Sequence, residues 1–165
     1  MKKSLLLCIL LAIWAGGLHS ARADEPKSHI AIIVNKNNEI KNLSLKDLTR
    51  YLKLDKQHWK NGKKIYLVMQ QSGSMEKKAL LNMIYHTDDA GLKRYWLGKM
   101  FRGEIVSIPK TFNSNDAIKK FVSQVPSAIG FINASDQDDS VKAIQIDGYS
   151  PGDQNYPLIA RAGAE

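Results

Sequence analysis

Apolar and polar positions along this chain alternate between two periods. Residues 30–34 (IAIIV) form an unbroken apolar run rich in β-branched side chains, which predicts a strand buried on both faces. The polar residues 35–42 that follow read as a turn. Ser44-Leu45-Lys46-Asp47 has the form of a capping box, in which a serine hydroxyl takes up a free backbone N–H of a new helix. Leu45, Leu48 and Leu52 then recur at helical spacing, so that helix is predicted to reach about Leu52. Asn61-Gly62 marks a turn, and residues 65–69 predict a second strand.

The helical period returns at residues 75–85, with Ala79, Leu80, Met83 and Ile84 on one face. Thr87-Asp88-Asp89 predicts a cap with acids in the first turn, where the helix dipole favours negative charge. Leu92, Tyr95, Trp96 and Met100 form the apolar stripe of the next helix, and Gly103 ends it. Residues 113–116 cap a further helix, carried by Ile118, Phe121, Val122 and Val125. Residues 128–132 and 141–146 predict two more strands, and Asp147-Gly148 and Pro151-Gly152 punctuate a loop-like tail. Trp96 is expected in the core and Trp59 over the Asn61-Gly62 turn. Strands alternating with helices predict an α/β fold: one three-layer lobe with a mostly parallel sheet flanked by helices. Ligands bind such folds at the carboxyl ends of the strands, where residues 70–74 fall.

The first residues follow a different pattern. Lys2 and Lys3 precede an almost wholly apolar stretch at residues 5–18, and Ala21-Arg22-Ala23 has the small-x-small form of a cleavage site. This predicts a secretory signal peptide over residues 1–23, cut after Ala23; the apolar stretch is short of the roughly 20 residues a bilayer span needs. The expected location is the periplasm, with no membrane span after cleavage. The 142 residues that remain of 165 (residues 24–165) suit one domain, with its core at about residues 29–147. The single cysteine, Cys8, lies in the predicted signal, which excludes disulfides, thiolate ligands and a cysteine nucleophile from the mature chain.

Loss of Lys2, Lys3 and Arg22 takes Lys+Arg from 24 to 21 against 16 Asp+Glu, a net charge of +5. For an exported protein this favours small anions, anionic lipid headgroups or an acidic protein face over nucleic acid. Lysine pairs spread along the chain also make an ordinary solvated surface. His29, His58 and His86 lack paired metal-ligand spacing, and Asp136, Asp138 and Asp139 lack the glycine and distal glutamate of a calcium loop. No Gly-x-Ser-x-Gly elbow is present. The expectation is a protein without catalytic residues, metal or cofactor.

Ser72, Gly73 and Ser74 lie between an apolar run and an amphipathic one. A helix start leaves backbone N–H groups unpaired, glycine lets an anion approach the backbone, and hydroxyls add donors, so this is a candidate phosphate seat. The same residues also make a plain N-cap, which needs no ligand. Arg102, at the end of a predicted helix, reads either as an anion contact or as a charge that suits the helix dipole.

The ordered series IAIIVN, LSLKDLTRYL, HWKNGKKIYLV, QQSGS, LKRYWLGKMFRG and SAIGFI resembles the phosphate-binding proteins of bacterial ABC transporters. The likeness covers about residues 30–133. It implies a periplasmic-binding-protein fold, phosphate or a similar oxyanion as ligand, and an ABC transporter permease as a partner. It also implies binding residues at Gln71, Ser72, Gly73 and Ser74, with Gln70 and Arg102 as further candidates. Two departures stand out. The chain has room for one lobe and resembles the second, so a second lobe or a second copy of the chain is needed to complete the anion shell. The arginine that precedes Ser-Gly-Thr in that family falls here on Gln70 or Gln71. An interaction or scaffold domain that has lost anion binding is therefore the alternative.

Overall fold

The computed structural model describes residues 27–161, and the expected signal peptide lies outside them. The strands are β1 (Lys27–Val34), β2 (Asn42–Leu43), β3 (Tyr66–Gln70), β4 (Lys110–Phe112), β5 (Ala128–Asn133), β6 (Lys142–Ala143), β7 (Gln145–Ile146) and β8 (Ile159–Arg161). The helices are α1 (Leu45–Leu52), α2 (Met75–Leu80), α3 (Asp89–Phe101) and α4 (Asn115–Gln124).

The main sheet runs β4-β3-β5-β1-β6, with β8 also on β1. β3 pairs parallel with β4 and β5, whereas β1 pairs antiparallel with β5, β6 and β8. Five of the six described strands therefore share one direction and β1 alone opposes them, which makes the sheet mostly parallel. β2 and β7 form a separate parallel ribbon.

The apolar run at β1 follows from burial on both faces. Ile30, Ile32 and Val34 enter one core with Leu48, Leu52, Leu80, Ile84 and Trp96, from the side of α1 to α3. Ala31 and Ile33 enter the other, with Val68 and with Ile118 and Val122 of α4. Gly130 lets α4 lie close to the sheet: a Cβ there would sit 2.8 Å from Val68 Cγ2 and 3.0 Å from Ile118 Cγ2.

The expected caps form. Ser44 Oγ accepts from the Asp47 N–H at 3.0 Å, an Asp88 carboxylate oxygen from the Gly91 N–H at 2.7 Å, and Ser114 Oγ from the Ala117 N–H at 3.2 Å. Trp59 packs tilted against Tyr51 at 4.9 Å between ring centroids, and its indole N–H donates to the Ser127 carbonyl at 3.0 Å. The helix expected at 75–85 loosens into a π turn at Leu81–Tyr85 and stops at His86, whose backbone is left-handed. The strand expected at 141–146 divides between two sheets, with β6 on β1 and β7 on β2.

The tail departs from its expected loop character. Tyr156, Leu158 and Ala160 are buried, β8 pairs with β1, and the Tyr156 hydroxyl donates to the Ile30 carbonyl at 2.8 Å. The core thus extends past residue 147 to β8. Alternate apolar positions at 156, 158 and 160 carry a strand's period, but Pro157 and the preceding turns mask so short a signal. Leu158→Ala is expected to lower stability by about 2–4 kcal/mol, as for other buried leucines, while Tyr149→Ala stays within about 0.5 kcal/mol. Urea unfolding followed by circular dichroism measures both.

Candidate functional site

The site is set by the register of two parallel strands. Val68, Met69 and Gln70 of β3 lie opposite Lys110, Thr111 and Phe112 of β4, so the strands end level. The Gln71 N–H donates to the Phe112 carbonyl at 2.8 Å and closes the ladder. Beyond this point the chains diverge. α2 leads into the core on one face of the sheet, and α4 packs on the other. Neighbouring strands whose helices leave to opposite faces open a crevice at their carboxyl ends.

That crevice is a cleft of about 260 Å³. Gln70, Gln71, Ser72, Ser74 and Glu76 form one wall, and Phe112, Asn113, Ser114 and Asn115 the other. Ser74 caps α2 and Ser114 caps α4, so two helix starts face the cleft. The N–H groups of Met75, Glu76, Asn115 and Asp116 lie in first turns, which have no intrahelical acceptor and carry partial positive charge. Gly73 sits at φ 101°, a conformation open to glycine and strained for other residues, and this turns the chain from β3 into α2.

The floor is a relay of hydrogen bonds. The Ser74 hydroxyl accepts from the Lys77 N–H at 3.1 Å and donates to Gln70 Oε1. Gln70 Nε2 donates to Asn115 Oδ1, and Asn115 Nδ2 donates to Asp136 Oδ2 at 2.5 Å. Asp136 belongs to the 3-10 turn Ala134–Asp136 that follows β5. The relay therefore links the ends of β3, β4 and β5. Gln70 is 5% exposed, and a buried amide is stable only with both ends paired.

The sequence candidates separate accordingly. Gln71, Ser72 and Ser74 line the cleft, and Gly73 makes the turn between them. Gln70 is structural in its contacts, so Gln71 is the glutamine with an amide open to a ligand. Ser74 is the cap of α2 as well as a wall of the cleft. Arg102 does not line the cleft; it follows α3, exposed, with its guanidinium on Glu104. The pairing raises the affinity of Arg102 for its proton and lowers the Glu104 carboxyl below its ordinary range.

No lysine or arginine is among the cleft-lining residues, and Glu76, 8% exposed, brings a carboxylate. Lys77 is buried and pairs with Asp89 at 2.7 Å. Among the described residues no three His, Cys, Asp or Glu side chains converge as a metal site. The second wall, Asn113 to Asn115, was legible only as a helix cap. Its place opposite Ser72 depends on β4, a three-residue strand without a sequence pattern of its own.

No family model matches the chain. Solved structures do. An ABC-type phosphate transport receptor from Vibrio cholerae superimposes with a TM-score of 0.66 at 24% identity, over 82% of this chain and 55% of the receptor. A protein from Clostridium perfringens described as a phosphate ABC transporter substrate-binding protein, solved with bound phosphate, gives 0.66 at 24% identity, over 82% and 54%. PstS from Borrelia burgdorferi gives 0.63 at 14% identity, over 83% and 56%.

Gln70→Leu is expected to leave Asn115 Oδ1 and the Ser74 hydroxyl without their partner and to cost about 1–3 kcal/mol. Gln71→Leu, at an exposed position, is expected within about 0.5 kcal/mol. Denaturant midpoints of the two variants check the assignment. The chain has the periplasmic-binding-protein fold and spans about half the length of the phosphate receptors that share it.

Proposed function

We propose that this protein is an exported, non-enzymatic binding module that holds phosphate or a similar oxyanion between the starts of α2 and α4. The observation that carries this reading is the convergence of two capped helix N-termini on one polar cleft, at the level ends of β3 and β4. The Ser72 hydroxyl, the Gln71 amide and the first-turn N–H groups supply neutral donors on one wall; Asn113 and the start of α4 supply them on the other. The likeness to phosphate receptors supports the ligand class. An ABC transporter permease is the matching partner, and a second lobe or second copy would enclose the open side of the cleft. The signal-like pattern of residues 1–23 supports a periplasmic location.

A second reading is favoured by the charges. The cleft lining holds Glu76 and no cation, and Gln70, at the family's arginine position or beside it, is consumed by Ser74 and Asn115. Charge-assisted bonds supply much of the strength of oxyanion sites. A lobe that has lost anion binding and serves as an envelope interaction domain fits these facts.

Calorimetric titration of phosphate-stripped mature protein at low salt separates the two, with sulfate as control. The proposal predicts phosphate binding on the order of 100 µM, about −5.5 kcal/mol. Ser72→Ala should abolish measurable heat without unfolding the protein. Glu76→Gln should tighten binding about fivefold by removing a like charge. No heat from either anion, or full binding by Ser72→Ala, would overturn this site.

A further inference from the structure

A second surface lies at the opposite end of β3. Tyr66 opens the strand and Gln70 closes it, so the two places are about 13 Å apart along the strand. β5 pairs with β3 at Tyr66 and Leu67, whereas β4 pairs only from Val68 onward. Pro109 precedes β4 and has no N–H to extend the ladder. On the β4 side, the first two residues of β3 therefore have no neighbouring strand among the described residues. A groove occupies this place, lined by Tyr66 and Leu67, by Val106 and Ile108 of the loop before β4, and by Lys64 and Lys110.

Exposed apolar side chains line the groove. Val106 is 86% exposed, and Tyr66 and Ile108 are about half exposed. Phe101, at 89%, ends the helix that leads into this loop. Isolated exposed apolar residues are ordinary, but a cluster around a groove marks an interaction site. Its charge is one-sided. No Asp or Glu lines it, and among the described residues neither Lys64 nor Lys110 has an ion pair. Lys110 Nζ instead lies 5.3 Å from the Phe121 ring centroid. Glu104, the nearest carboxylate in sequence on the loop, is taken by Arg102 and Lys99.

We propose that this groove docks an extended peptide segment of a partner protein, apolar at alternate positions and flanked by carboxylates. The segment lies along the groove and not in the sheet, because Leu67 is 5% exposed and the Tyr66 N–H donates to the Ser127 carbonyl. Its apolar side chains meet Tyr66, Val106 and Ile108, and its carboxylates meet Lys64 and Lys110. The concave shape favours a peptide over a flat lipid surface, and the lysines favour an acidic one.

The test uses mature protein and a fluorescein-labelled, N-acetylated peptide of alternating valine and phenylalanine flanked by aspartates, with a lysine-flanked twin. Fluorescence anisotropy should show saturable binding of the acidic peptide and none of the twin. Val106→Asp, at an exposed site, should abolish binding, and Lys64→Glu with Lys110→Glu should weaken it about tenfold. Equal binding of both peptides, or none of either, overturns the proposal. Two further results also overturn it. One is Val106-dependent binding to phosphatidylglycerol vesicles without peptide binding, which would make the groove a membrane contact. The other is a Val106-dependent dimer in sedimentation velocity, which would make it a self-association surface. Because Ser72 and Glu76 lie at the other end of β3, phosphate titration should be unchanged in Val106→Asp, which keeps this test separate from that of the oxyanion site.

Discussion

The register of β3 against β4 fixes where two helices begin. With Gln70 level with Phe112, both chains leave the sheet at one height, and the two faces of the sheet dictate where each goes. α2 serves the larger core and α4 the smaller, so their starts diverge around a polar crevice rather than packing on each other. Gln70 then locks the arrangement. Its amide is too buried to stand unpaired, and only Ser74 on one side and Asn115 on the other satisfy it. Gly130 adds a steric condition, because α4 can lie this close to the sheet only where β5 has no Cβ.

Much of the fold was legible in sequence because its strong elements are doubly specified. IAIIV is apolar at each position, as a strand between two layers must be. Ser44, Asp88 and Ser114 announce helices that their apolar stripes confirm. The failures fall where the local signal is short or contradictory. β4 has three residues and an exposed flank, so no periodicity marks it. β8 follows turn residues and a proline, yet the sheet has a vacant place on β1 that it fills, with Tyr156 anchoring the approach. The site inherited the first failure. Ser72 to Ser74 was visible as a candidate, but the opposing wall needs the β3–β4 pairing, which is a tertiary fact. The division of labour between Gln70 and Gln71 is likewise invisible in two identical neighbours: strand alternation and the Ser74 cap decide which is buried.

The electrostatics of the cleft shape its chemistry. Its donors are neutral: hydroxyls, amides and helix N–H groups. Its one charged side chain is a carboxylate, and the nearby cation, Lys77, is committed to Asp89. Dipolar donors hold an anion through geometry, so in the proposed site affinity would depend on how well both walls close on it, whereas an arginine would hold it with one wall alone. Under the proposed reading, that places a premium on completing the shell, because the chain spans only about half the length of its structural neighbours. The lysine-rimmed groove proposed as a docking site lies at the far end of β3, away from the cleft.

The claim that most needs testing is that α2 and α4 act on one ligand. Amide 1H–15N correlation spectra of the mature protein, recorded as phosphate is added against a sulfate series, report each wall separately. A shared site predicts that the amides of residues 72–76 and 113–116 shift together along one saturation curve, with Val106 and Ile108 unmoved. Shifts confined to one wall, or linear drifts at lysines across the surface, would contradict it and leave Ser72-Gly73-Ser74 as a helix start alone.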